Sequence, residues 1–177
     1  MDRLHLKVPT LSELSYRQKI LADPETMNYN KGFDIEDSSY DKSTGCIDFK
    51  QSKWDKWSSY WTGNKPQTYY AYIVRNEDSC FVGEVNIHKN INENPYEMGI
   101  AMEEQFRGKG YSKEALSLLL QVAFEEYGAK AIHNNFSTNN DAAFKTHLRV
   151  GFKFVGKKDG YFDLLITDED YALSVIK

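Results

Sequence analysis

The chain has little of what marks several large classes of protein. Its 177 residues include two cysteines, Cys46 and Cys80, and four histidines, His5, His88, His133 and His147. They show neither C-x-x-C nor H-E-x-x-H spacing, so no structural zinc site is expected and no metal is called for. Nothing approaches the roughly 18 apolar residues in a row of a membrane span. The opening Met1-Asp2-Arg3-Leu4-His5-Leu6-Lys7 also lacks the apolar stretch of a secretory leader. The cytoplasm is the expected compartment, with no membrane partner. Positive charge is in deficit: 22 Lys and Arg against 26 Asp and Glu leave a net charge of −4. No global field therefore draws the protein to nucleic acid. With 4 prolines, 11 glycines and no repeat, collagenous and disordered classes are excluded as well.

What is present suits one globular domain spanning residues 1–177, with 41% hydrophobic and 14% aromatic residues to build a core. Alternation over 4–8 predicts a strand, and Thr10 with Glu13 has the spacing of a capping box ahead of a helix. Residues 25–50 read as a long irregular loop, acid-rich between Asp34 and Asp48. Trp54, Trp57 and Trp61 then recur at helical spacing, forming either a packed aromatic face or a wall for a substrate. Strands are predicted over 69–74, 81–88 and 97–102, joined by the polar turns 76–79 and 92–95 into an antiparallel meander. A helix through Leu116, Leu119, Leu120, Ala123, Phe124 and Tyr127 follows, with Gly128 past its end. Strand 131–136, helix 141–150 and a hairpin of strands 152–155 and 161–166 complete the expected order.

The chemistry is concentrated where the meander meets the long helix. Gln105-Phe106-Arg107-Gly108-Lys109-Gly110 brings two glycines and two cations to the start of a helix, whose free N–H groups and dipole favour an anion. It is not a Walker A loop, because Glu103 and Gly110 stand where glycine and Ser or Thr are required. A dinucleotide fingerprint would need a third glycine at position 113, which is Lys113.

Gln105-x-x-Gly108-x-Gly110 resembles the pyrophosphate-binding loop, Q/R-x-x-G-x-G/A, of the GNAT N-acetyltransferase superfamily. Asn140-x-x-Ala143-x-x-x-His147-x-x-x-Gly151-Phe152 is similar to that family's N-x-x-A-x-x-x-Y-x-x-x-G-F signature. The order of elements agrees along nearly the whole chain, and the flavour is that of the branch containing ribosomal-protein N-terminal acetyltransferases. The resemblance implies a mixed α+β fold with a mostly antiparallel central sheet flanked by helices. It implies acetyl-coenzyme A as co-substrate and a small-molecule or peptide amine as acceptor, attacked directly in a ternary complex. The cofactor would be held by residues 105–112, including Tyr111 and Ser112, with Asn140, Ala143 and His147 beside its arm and sulfur. Backbone N–H groups around Ile100 and Met102 would stabilise the oxyanion.

Two departures stand out. His147 replaces the tyrosine that protonates the departing thiolate, so it is either a substitute acid or a core histidine. Asn135 stands where some members carry a glutamate base, and an amide cannot serve as one. Alternation instead puts Val82, Glu84, Asn86 and His88 on one face of their strand, with Phe81, Gly83, Val85 and Ile87 on the other. Glu84 is the first expectation for the base and Glu97 the second. Trp54, Asn86, His88, Glu97, His133 and Asn135 are expected around the acceptor. Peptide N-terminus, lysine, polyamine and aminoglycoside all remain open as acceptors, and a homodimer is possible. The alternative is a non-catalytic acyl-coenzyme A sensor on the same fold.

Overall fold

A computed structural model describes residues 2–89 and 95–175. The predicted turn at 92–95 lies outside the described residues except for Pro95. Seven strands form one sheet in the order β1-β2-β3-β4-β5-β7-β6. They are β1 Leu4–Lys7, β2 Thr68–Arg75, β3 Cys80–Lys89, β4 Tyr96–Met102, β5 Ala131–Ser137, β6 Lys153–Lys158 and β7 Tyr161–Thr167. All neighbours are antiparallel except β4 and β5.

Helices cover both faces. On one face lies α4, Tyr111–Gln121, extended by a wider π turn through Val122–Glu126. Leu116, Leu119 and Leu120 fall on one side of this helix by its 3.6-residue period and are fully buried against Ile73, Val85, Ile87, Ile132 and Ile166. Each such side chain contributes about 1.5–3 kcal/mol of burial. This contiguous cluster is the main core. The helix α5, Asp141–Arg149, starts from an Asn140 cap whose Oδ1 accepts the Ala143 N–H at 3.1 Å.

The opposite face carries α1, Leu14–Leu21, the short α2, Pro24–Met27, and α3, Trp54–Trp61. The Thr10–Glu13 box forms, with the Glu13 carboxylate accepting the Thr10 N–H at 2.9 Å, but one turn of tighter helix precedes α1. Asp23 caps α2 and Pro24 occupies its first position, where a missing N–H costs nothing. Beneath these helices Tyr70, Tyr72 and Val74 make a second apolar cluster with Tyr16, Trp57 and Phe81.

Two expectations are corrected. The simple alternation along β3 fails at its start, because Val74 pairs with Phe81 while Ile73 pairs with Gly83. The extra residue, Val82, is bulged into the main core, and Phe81 lands on the face of Glu84. The chain also ends in a helix, α6 Asp168–Val175, beyond the predicted hairpin. Thr167 and Asp170 cap its start reciprocally, Asp170 N to Thr167 Oγ1 at 3.2 Å and Thr167 N to Asp170 Oδ2 at 3.3 Å. That Thr-x-x-Asp spacing was the available signal.

Candidate functional site

The site begins with a gap in the sheet. Strands β4 and β5 pair only at Tyr96 with Ile132 and Glu97 with His133. Beyond that point they diverge, and the β4 edge facing β5 has no ladder. A cavity of about 270 Å³ fills the wedge, with Gly99, Ile100 and Ala101 on one wall and Asn134, Phe136, Asn140, Ala143 and His147 opposite. Ile100 therefore lies where its backbone was expected. Met102 does not: it is buried, and its carbonyl accepts Arg107 Nε at 3.2 Å.

Past the end of β4, Gly108 and Gly110 have φ of +74° and +77°. Such left-handed residues cost non-glycine side chains about 1–2 kcal/mol each. Among the described residues, no N–H of residues 108–112 donates a hydrogen bond within the protein. Arg3, which sequence reasoning missed, holds the other side of the loop. Its Nη1 and Nη2 donate to the Lys109 and Gly110 carbonyls at 3.1 and 3.4 Å, while Nε pairs with Glu114 at 2.9 Å. With the carbonyls so occupied, a row of free donors at the start of α4, including Tyr111 and Ser112, remains for an anion, and a pyrophosphate fits this cradle. Lys109 is exposed beside it. Arg107 is not part of it: its guanidinium turns inward to the Glu25 and Thr26 carbonyls at 3.2 and 2.5 Å. Gln105 is likewise engaged, donating to Glu103 at 2.6 Å.

His147 lines the wedge but is 2% exposed and has both ring nitrogens committed. Nδ1 donates to the Ala143 carbonyl at 2.8 Å, which fixes the tautomer, and Nε2 accepts from Asn134 Nδ2 at 2.8 Å. Burial holds its pKa below the usual histidine value, so the ring is neutral. The expected substitute acid is thus a satisfied core histidine.

Glu84 is corrected similarly. It lines the wedge, yet its carboxylate is paired with the Arg17 guanidinium and accepts the Tyr70 hydroxyl. Burial opposes the charge on Arg17, but Glu84 outweighs it and raises the Arg17 pKa. Arg17 also lies over the Trp57 ring, 4.7 Å from its centroid. Both carboxylate oxygens are thereby partnered, and the visible effect of the group is to anchor α1 to the sheet.

Across the wedge lies a larger cavity of about 920 Å³, walled by the 28–35 loop and floored by Asn135, Ser137, Asn139 and Tyr161. Tyr29, Asn135, Phe136 and Asn140 line both cavities. Asn86 reaches the wedge because Gly99 lies opposite it in the ladder; a Cβ there would sit 2.6 Å from Asn86 Nδ2.

The other expected acceptor residues lie outside both cavities. Trp54 is 7% exposed, packed among Leu14, Leu21, Met27 and Phe49. His88 lies under Trp61, its pKa lowered by burial. Glu97 and His133 form a cluster with Asp163, His133 Nδ1 contacting Glu97 at 2.7 Å and Nε2 contacting Asp163. Burial disfavours the imidazolium, but the two carboxylates outweigh it and raise its pKa. The cluster sits on the same face as Asn135, two residues and about 7 Å along β5.

Comparison with known proteins agrees with this architecture. The family model described as an acetyltransferase (GNAT) domain matches residues 3–153. An uncharacterised N-acetyltransferase of Bacillus subtilis, YnaD, is 26% identical over 93 residues, 52% of this chain and 52% of that protein. A spermine/spermidine N(1)-acetyltransferase of the same organism is 36% identical over 58 residues, 33% of this chain and 38% of its own length. The chain thus spans about half the length, or less, of these relatives. Among solved structures, spermidine N-acetyltransferase from Vibrio cholerae in complex with CoA and spermine superposes with a TM-score of 0.75 at 13% identity, over 97% of this chain and 99% of that one. A GNAT-family acetyltransferase from Bacillus anthracis gives 0.70 at 17% identity, over 94% and 96%. With the family model matched over residues 3–153, a span that contains the wedge and the glycine loop, the chain belongs to the GNAT acetyltransferase family.

Proposed function

We propose that this protein transfers the acetyl group of acetyl-coenzyme A to a primary amine of a small molecule, both substrates being bound together. The observation that carries the reading is a free N–H row at 108–112 following β4, whose residues Gly99–Ala101 wall a wedge that shares part of its lining with a second, larger cavity. When bound, acetyl-coenzyme A supplies an acetyl group activated as a thioester. Residues 108–112 hold its pyrophosphate, and Asn140 and Ala143 flank its arm. Unladdered N–H groups of β4 near Ile100 stabilise charge developing on the acetyl oxygen; such donors are worth about 3 kcal/mol each. The walls of the wedge, including Phe136, exclude water that would hydrolyse the thioester.

The acceptor enters through the larger cavity. Its amine arrives as an ammonium, and the Glu97–His133–Asp163 cluster on the same face supplies negative charge to draw it in and a route for its proton through solvent. Polyamine acetyltransferases among the relatives favour a cationic small molecule over a peptide. Calorimetry with acetyl-coenzyme A, followed by thiol release across spermidine, lysine, a peptide N-terminus and an aminoglycoside, tests the reading. Binding with turnover of at least one amine is expected, and absence of binding overturns it. A sensor would bind without thiol release; the neutral, fully bonded His147 is the observation in its favour.

A further inference from the structure

With the α5 histidine neutral and bonded, a side chain of the wedge that still carries an available proton can deliver one to the sulfur. Glu84 is held by Arg17 and Tyr70. His147 is neutral with both nitrogens bonded. Asn86, Asn134, Asn135 and Asn140 carry amides, which do not exchange protons as acids near neutral pH. The remaining polar side chain lining the wedge is Tyr29, and it lines the larger cavity too.

We propose that Tyr29 is the proton relay of the transfer, its hydroxyl standing between the acceptor nitrogen and the leaving sulfur. The inference rests on the transferase reading above. The amine lone pair forms the N–C bond, the C–S bond breaks, and its electron pair leaves with sulfur. The acceptor nitrogen gives one proton to the Tyr29 oxygen while the Tyr29 O–H proton passes to sulfur. The phenol is regenerated, and the products are the N-acetyl amine and the free thiol.

Position makes this economical. A hydroxyl both donates and accepts, so one placed in the wall shared by two cavities can serve a group in each. Tyr29 is 44% exposed, and a phenol titrates at about 10 even in open water. The hydroxyl therefore stays protonated throughout the working range, and a concerted relay avoids a free phenolate. Its place near the start of the 28–35 loop, directly after α2, supplies a hydroxyl to the wedge where the signature on α5 lacks a tyrosine.

The test uses Tyr29→Phe, which keeps the ring and removes the hydroxyl. Coenzyme A affinity, measured by calorimetry, is expected to stay within about twofold, because the cradle lies elsewhere. Acetyl transfer is expected to fall about 10²-fold, the lower end of what a positioned proton donor supplies. The ionisation of bound coenzyme A, followed by thiolate absorbance, is expected to move to higher pH in the variant, since the thiolate loses a hydrogen-bond donor. Unchanged rate and unchanged thiol titration, with coenzyme A still bound, overturn the relay alone. Wild-type protein that binds no coenzyme A overturns the transferase reading and the relay together.

Discussion

The Asn134 amide and the His147 ring meet at 2.8 Å across the junction of β5 and α5, and the Ala143 carbonyl takes the other side of the ring at the same distance. His147 is thereby a strut between strand and helix. Replacement by Phe keeps the volume roughly but strands the Asn134 amide and the Ala143 carbonyl. A loss of about 1–3 kcal/mol is expected in urea unfolding. The shape of the kcat–pH profile is expected to survive, whereas a catalytic imidazole would take one limb of it away.

The two histidines of β5 and α5 pull stability in opposite directions with pH. The folded pKa of His147 is lowered, so below about 6.5 the unfolded chain takes up a proton that the folded chain resists. Stability therefore falls as pH drops below that value. His133 is raised by Glu97 and Asp163 after its burial penalty, so its contribution is full below about 6.5 and is lost as pH climbs through the raised value. Melting temperatures of His147→Phe are expected to show a shallower acid-side decline than wild type. Those of His133→Gln are expected to show a larger deficit at pH 6 than at pH 9.

Arg17 and Glu84 form an ion pair in which both side chains are largely buried. Arg17→Met leaves a carboxylate that is 6% exposed without its partner, and about 3–5 kcal/mol of destabilisation is expected. Adding Glu84→Leu to that variant removes the stranded charge and is expected to recover a large part of the loss. Denaturant curves of the two single variants and the double variant decide this. Full additivity would show that the ion pair is not the coupling element.

For the cradle, Gly110→Ala puts a side chain at φ +77° immediately before α4. Coenzyme A affinity is expected to weaken about tenfold, the equivalent of 1.4 kcal/mol, with the acceptor KM little changed. Arg3→Met frees the Lys109 and Gly110 carbonyls to rotate and is expected to act in the same direction. Both effects are read by calorimetry.

The elements were largely legible because their signals are local. Gly108 and Gly110 before a leucine-periodic helix, and Asn140 ahead of Ala143, place the cradle and the α5 cap directly. What sequence could not convey was pairing in space. Glu84, Asn86 and His88 share a face as alternation requires, but only contact with Arg17 and Tyr70 shows that Glu84 is already engaged. Trp54 and Trp61 share a helical stripe, and only the packing of Leu14 and Phe49 shows that Trp54 is interior. Arg107 looked like cradle charge by adjacency, yet its long side chain reaches back to residues 25 and 26. Tyr29 had no periodic or motif signal. The missing tyrosine at position 147 was the one hint that another hydroxyl should be sought.

The two-pair seam between β4 and β5 has a mechanical consequence. The β1–β4 ribbon and the β5–β7 ribbon are joined side to side by two residue pairs and braced by one apolar layer beneath α4. Two pairs resist opening less than the seven or eight at the neighbouring seams, so any opening of the gap pivots at Tyr96 and Glu97 and is widest at the Ile100 end. A ligand wedged there stiffens that pivot as well as filling the gap. Hydrogen-exchange protection of β6, which lines neither cavity, is therefore expected to rise on cofactor binding.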